Sequence, residues 1–162
     1  MKRKFICNIF TPCFGLLSQI KEEISNLNDT EVNKAYLCTL KPDIDWRTFF
    51  LKYYSFVQPA HMRANWVNST KSKLVRQKAD FLEGLGKEIV VFEVVIKNPE
   101  MLSEDAFFGP LVPKILDEYK VDLRHRSRHI TSKYTVMHVF DTDLYNEEII
   151  SFLRKNCHIE EV

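Results

Sequence analysis

Trp46, Phe49, Phe50, Tyr53 and Val57 fall at i, i+3, i+4, i+7 and i+11, the single apolar stripe of a core-facing helix. Asp43 or Asp45 can cap this helix, and Gln58-Pro59 ends it. A different pattern covers Glu88 to Lys97, where Ile89-Val90-Val91-Phe92 and Val94-Val95-Ile96 leave almost no polar position. Such a run reads as a central strand covered on both faces. Glu93 in its middle is the exception, and a carboxylate there needs either a partner or a raised pKa. A Lys or Arg of an adjoining strand is the expected partner, in a paired structural role.

The rest of the chain alternates the same two periods. Lys4 to Phe10 reads as a strand, after which Thr11 and Pro12 open a helix reaching about Leu27. Val32 to Leu40 is a second strand, ended by Lys41-Pro42. After the Trp46 helix, Ala60 to Asn68 reads as an ordered loop carrying His61 and Trp66. Ser69 or Thr70 caps a third helix through Leu74, Val75, Phe81 and Leu82, stopped by Gly84 and Gly86. Ser103 caps a further helical segment that Gly109-Pro110 breaks, leaving a helix from about Pro113 to Lys120, then a basic loop. Tyr134 to Phe140 is the next strand. Asp141-Thr142 caps a last helix with Tyr145, Ile149, Phe152 and Leu153 on one face, and Cys157 to Val162 is a tail able to add an edge strand.

Strands alternating with helices favour an α/β fold over segregated layers. The expectation is a single compact domain over residues 1–162, with a mixed sheet of about four to five strands alternating with about five helices. The chain's 162 residues suffice for one core that needs no staple.

Composition adds an origin and a compartment. Twelve Phe and six Tyr stand against four Gly, and Ile, Asn and Lys are common, a bias of AT-rich coding that points to a phage, a virus or an AT-rich bacterium. Cys7, Cys13, Cys38 and Cys157 lie far apart inside apolar runs, as free thiols of a reducing, cytoplasmic compartment do. Met1 to Phe10 imitates a signal peptide, but Asn8 and Pro12 interrupt it, no small-residue cleavage site follows, and helical spacing continues through Leu16, Leu17, Ile20 and Ile24. No window is long and apolar enough to span a membrane.

Charge is where candidate chemistry concentrates. The net charge is only +1, yet Arg124-His125-Arg126-Ser127-Arg128-His129, with Lys133 behind it, meets no carboxylate before Asp141. This local positive patch suits an anionic partner, since guanidinium forks match phosphate oxygens. The alternative is a solvated turn that pairs with Asp117, Glu118 and Asp122 just upstream. Trp66, near the basic positions Arg63, Lys71, Lys73, Arg76 and Lys78, can stack a base or serve as an anchor, while the favoured reading of the basic positions is a solubilising helix face opposite Leu74, Phe81 and Leu82.

Catalytic signatures are incomplete. His125 and His129 have the spacing of a metal pair on a helix, without the intervening Glu or a second ligand pair. His129-Ile130-Thr131 matches the H-x-T element of two-histidine phosphoesterases, but neither His61 nor His138 supplies a second copy. No Gly-rich phosphate loop precedes a helix, and no nucleophile sits in a strained turn. No catalytic residue, metal or cofactor is therefore expected.

These features favour a small non-enzymatic binding protein, a regulator or inhibitor of a larger macromolecular machine, with a protein partner for which aromatic residues among Phe49, Phe50, Tyr53, Tyr54, Trp66, Phe107 and Phe108 can serve as anchors, although most of them should be core. The partner- or phosphate-binding candidates are Arg124, His125, Arg126, Arg128, His129, Lys133 and Trp66. A nucleic-acid-binding protein using Arg124 to Lys133 is the second reading, and a phosphoesterase or nuclease built around His125 and His129 the third.

Overall fold

Glu88–Lys97, the aliphatic run, forms the middle strand of a five-stranded sheet. A computed structural model describes residues 1–9, 17–56, 88–102, 112–127, 137–139 and 146–162, with 73, 75–77, 79–80 and 82–83. In chain order its elements are β1 (Lys2–Ile9), α1 (Leu17–Ser25), β2 (Thr30–Leu40), α2 (Trp46–Phe56), β3 (Glu88–Lys97), β4 (Met101–Leu102), β5 (Val112–Pro113), α3 (Lys114–Ser127), β6 (Met137–Val139), α4 (Asn146–Asn156) and β7 (Cys157–Glu161). The described residues between 73 and 83 are helical too. The chain is a single compact α/β domain.

The sheet order is β6-β1-β3-β2-β7, and β4 pairs with β5 in a separate two-stranded ribbon. Every pairing among the described strands is antiparallel, where the alternation of strands and helices predicts a mixed sheet. The reason is strand insertion. β1 and β2 run the same way, as a helical crossover requires, but β3 lies between them in the opposite direction. The tail does add an edge strand, with Leu40 opposite Cys157 and Tyr36 opposite Glu161.

Each face of the sheet carries helices. On one face Ile6, Tyr36, Cys38, Leu40, Ile89 and Val91 pack against α2, α4 and the helical residues Val75 and Leu82. The α2 stripe is fully inside: Phe49 stacks obliquely on Phe152 of α4 with ring centroids 5.3 Å apart, and Trp46 lies over Phe50 at 5.7 Å. Phe49, Phe50 and Tyr53 are thus core residues with no exposure and not interface anchors. Trp66, Phe107 and Phe108 lie outside the described residues, as does the side chain of Tyr54. On the opposite face Phe5, Cys7, Phe92, Val94 and Ile96 meet Ile20 and Ile24 of α1 and Leu116, Tyr119 and Leu123 of α3.

Local chemistry sets the boundaries. The Thr48 amide donates to the Asp45 carboxylate at 2.7 Å, so Asp45 caps α2. Asp29 (φ 54°) and Asn98 (φ 48°) take left-handed conformations that these two residue types tolerate best after glycine. The Lys97 amide donates to the Asp29 carbonyl and that of Asn98 to the Met1 carbonyl, at 2.9 and 2.8 Å.

α3 departs most from expectation. It begins at Lys114 and runs to Ser127, seven residues past the expected end at Lys120, while Pro113 belongs to β5 opposite Met101. Leu116, Tyr119 and Leu123 bury one stripe that carries the helix past Lys120. Arg124, His125 and Arg126 form its last turn, where positive charge complements the helix dipole. This part of the basic run is helix, not loop.

Candidate functional site

Among the described residues, polar side chains gather at the end of α3, which the sequence singles out, and in a cleft over Glu93.

At the end of α3, Arg126 turns back toward α1. Its guanidinium donates to Glu23 at 2.7 and 3.4 Å and pairs with Asp122 at 3.1 Å, one turn earlier in α3. The Tyr119 hydroxyl donates to the same Glu23 carboxylate at 3.0 Å, as does Gln19 at 3.1 Å. The bond from Arg126, chiefly, holds the Glu23 carboxyl below its usual range against the opposing effect of burial. Burial, and then the hydrogen bond to Glu23, push the Tyr119 phenol upward, so it remains a neutral donor. Arg124 is partly buried and donates to the Met137 carbonyl at 3.2 Å, tying α3 to β6. His125 is exposed. The pairing with Asp122 anticipated for a solvated turn is present, and two of the three arginines are engaged within the fold. Arg128, His129, Lys133 and Trp66 lie outside the described residues, as do His61 and the side chain of His138.

The second site grows from Glu93. Among the described residues it is the only buried ionisable carboxylate, 6% exposed. In the register Ile6 stands opposite it on β1 and Lys34 on β2. A β-bulge between Val32 and Lys34 inserts Asn33, which lets Val32 face the α1 side while Lys34 and Tyr36 face the α4 side. The expected cation is Lys4 of β1, at 3.9 Å. Asn33 Nδ2 donates to the carboxylate at 3.5 Å. Helix α4 covers the apolar part of this face but leaves an opening of about 360 Å³ above the Glu93 level, bordered by Tyr36, Lys34, Asn146, Ile150 and Arg154. Asn146 Nδ2 donates to the Lys4 carbonyl at 2.8 Å, while its buried Oδ1 accepts from no described residue. Burial and then the charge of Glu93 raise the Tyr36 phenol.

On the other flank of α4 a second depression of about 540 Å³ lies between Lys52 of α2 and Glu148, Phe152 and Lys155 of α4. The two openings share Glu147 and Ser151, so the outer ridge of α4 stands between hollows.

Glu93 itself is legible in the sequence as an acid inside an aliphatic strand. Tyr36, Asn146 and Arg154 are not, because only the strand order and the bulge bring them to it. Among the described residues no group of three or more His, Cys, Asp or Glu is placed to hold a metal, and no helix is long and apolar enough to cross a membrane. Comparison with protein families, with curated proteins and with solved structures finds no match.

Proposed function

We propose that this chain is a small non-enzymatic binding protein of the cytoplasm, a phage- or virus-encoded regulator or inhibitor of a larger host machine, and that a protein partner docks on α4. The observation that carries the reading is the mixed charge of that face. Glu147 and Glu148 lie in the first turn of α4, Arg154 and Lys155 in its last, and Lys52 lies across the groove. A polyanion gains its affinity by neutralising phosphates with a continuous cationic surface, and the acidic end of α4 opposes that. A protein surface with alternating charge complements both ends, and the hollows flanking the ridge provide the relief on which shape complementarity is built. Engagement of Arg124 by the Met137 carbonyl and of Arg126 by Glu23 lowers the case for a phosphate-binding loop. Buried free thiols at Cys7, Cys38 and Cys157 suit a reducing compartment, and the AT-rich bias of composition supports a phage or viral source.

Affinity capture from host lysate, with nuclease present, tests the reading when wild type is compared with a Glu148→Lys, Lys155→Glu variant. Both positions border the α2–α4 groove and neither borders the Glu93 cleft. The expected result is a nuclease-resistant protein partner retained by wild type and lost by the variant. Retention abolished by nuclease, or equal retention by the variant, overturns it.

A further inference from the structure

The Glu93 cleft is chemically unlike the rest of the surface, and its occupancy is independent of the partner proposed for α4. Its floor holds acceptors short of donors. An ionised carboxylate has about four lone-pair sites and makes charge-assisted bonds at about 2.7–2.9 Å. Among the described residues Glu93 meets only Lys4 at 3.9 Å and Asn33 at 3.5 Å, both longer than that. Asn146 adds a second acceptor. Its amide orientation is set by the bond from Nδ2 to the Lys4 carbonyl at 2.8 Å, which leaves Oδ1 buried without a described donor. Buried acceptors of this kind cost stability unless a donor reaches them.

The rim is largely of the opposite character, with Glu147 its one acid. Lys34 stands next to Glu93 in the register, and Arg154 projects from α4 into the same lining, with Ile150 as an apolar wall. A simple cation would satisfy the floor but meet Lys34, Lys4 and Arg154. A simple anion would satisfy the basic part of the rim but meet Glu93 and Glu147. Only a molecule carrying both charges matches both, and the volume of about 360 Å³ lies at the small end of ligand sites, about 300–1,000 Å³.

We propose that this cleft binds a small zwitterion of the α-amino-acid type, its ammonium directed to Glu93 beside Asn146 and its carboxylate to Lys34 and Arg154. The Tyr36 hydroxyl, kept neutral by burial and by the charge of Glu93, is available as a further donor to the carboxylate. Ile150 contacts the side chain of the ligand and favours a small or aliphatic one. A ligand seated there touches β2, β3 and α4 together, so it stabilises the docking of α4 on the sheet.

The test uses the full chain and the twenty free L-amino acids, each added to about 10 mM, a range that reaches weak millimolar binding. Binding is read by the shift of the Asn146 side-chain amide in nitrogen–proton correlation spectra. Any amino acid that binds is compared with its N-acetyl form, which lacks the ammonium, and its methyl ester, which lacks the carboxylate. The expected result is saturable binding of at least one amino acid, weakened at least about tenfold by either modification and by Glu93→Gln or Arg154→Ala. Arg154 is exposed, so its variant keeps the fold and carries the test should Glu93→Gln fail to fold. Absence of binding by every amino acid overturns the proposal. So does binding that the N-acetyl or ester form matches, or that Arg154→Ala leaves unchanged.

Discussion

Arg126 and Glu23, 103 residues apart, are joined by two hydrogen bonds of 2.7 and 3.4 Å that fasten the last turn of α3 to α1. Both side chains are only partly buried, 43% and 27% exposed, so solvent screens the pair and its contribution falls near the upper end for surface ion pairs, about 1 kcal/mol. Arg126→Ala is therefore expected to lower the urea midpoint by that much stability. Arg126→Lys recovers only part of it, because an ammonium cannot reproduce the two-pronged contact. A double-mutant cycle with Glu23→Gln gives the coupling directly, and a coupling of zero shows that the pair is incidental.

The same pair predicts an acid limb in stability. Glu23 has a folded pKa below its unfolded value of about 4.3. A depressed carboxyl pKa stabilises the fold above the unfolded value and ceases to do so as pH falls through the folded one. Wild-type stability is therefore expected to decline below about pH 4, and the Glu23→Gln variant to decline less steeply there. Parallel curves for the two proteins, measured by urea denaturation across the acid range, rule out Glu23 as a contributor.

Some of this arrangement is visible in the sequence and some is not, for identifiable reasons. The helix and strand periods of α2, β3 and α4 are local, and their apolar positions are the ones that face the core. The dense charge of the basic run resembles a solvated loop, yet the spacing of Leu116, Tyr119 and Leu123 already carries α3 past Lys120. Long-range facts are different in kind. That β3 inserts between β1 and β2, that Asn33 bulges, and that Glu23 receives Arg126 all depend on strand order and helix packing, which no local period encodes. The cleft over Glu93 belongs to that second group, apart from the single buried acid that announces it.

Burial makes the described thiols inert. It pushes Cys7, Cys38 and Cys157 each up to about 12, which leaves a thiolate fraction of about one in ten thousand at pH 8. Site-resolved mass spectrometry after brief exposure to iodoacetamide is expected to show these three unmodified in the native protein and fully modified in denaturant. Rapid native labelling of Cys38 or Cys157 means that the β2–β7 edge opens readily and that β7 is only weakly docked.

Phe49 separates core from interface. It is fully buried and contacts Trp46, Phe50, Tyr53 and Phe152, so Phe49→Ala removes a ring from the centre of the α2–α4 packing. The expected loss is about 3–5 kcal/mol, enough to unfold much of a marginally stable domain. Leu51 on the same helix is 45% exposed, and Leu51→Ser is expected to stay within about 0.5 kcal/mol. Equal effects of the two substitutions on the urea midpoint contradict the assigned face of α2.

Removal of residues 1–9 is the most severe change predicted. β1 pairs with β3 along its whole length and with β6 through Cys7, Asn8 and Ile9, so its loss strands β6 and uncovers one side of the central strand. Phe5, Ile6, Cys7 and Ile9 leave both core clusters at once, and Lys4 leaves Glu93 without the one cation it meets among the described residues. An uncompensated buried carboxylate adds its own penalty to the lost apolar contacts. The truncated chain is expected to lack dispersed amide signals and a cooperative urea transition. A folded, cooperative product shows instead that β3 can close its edge without β1, and the sheet order proposed for the core then fails at its second strand.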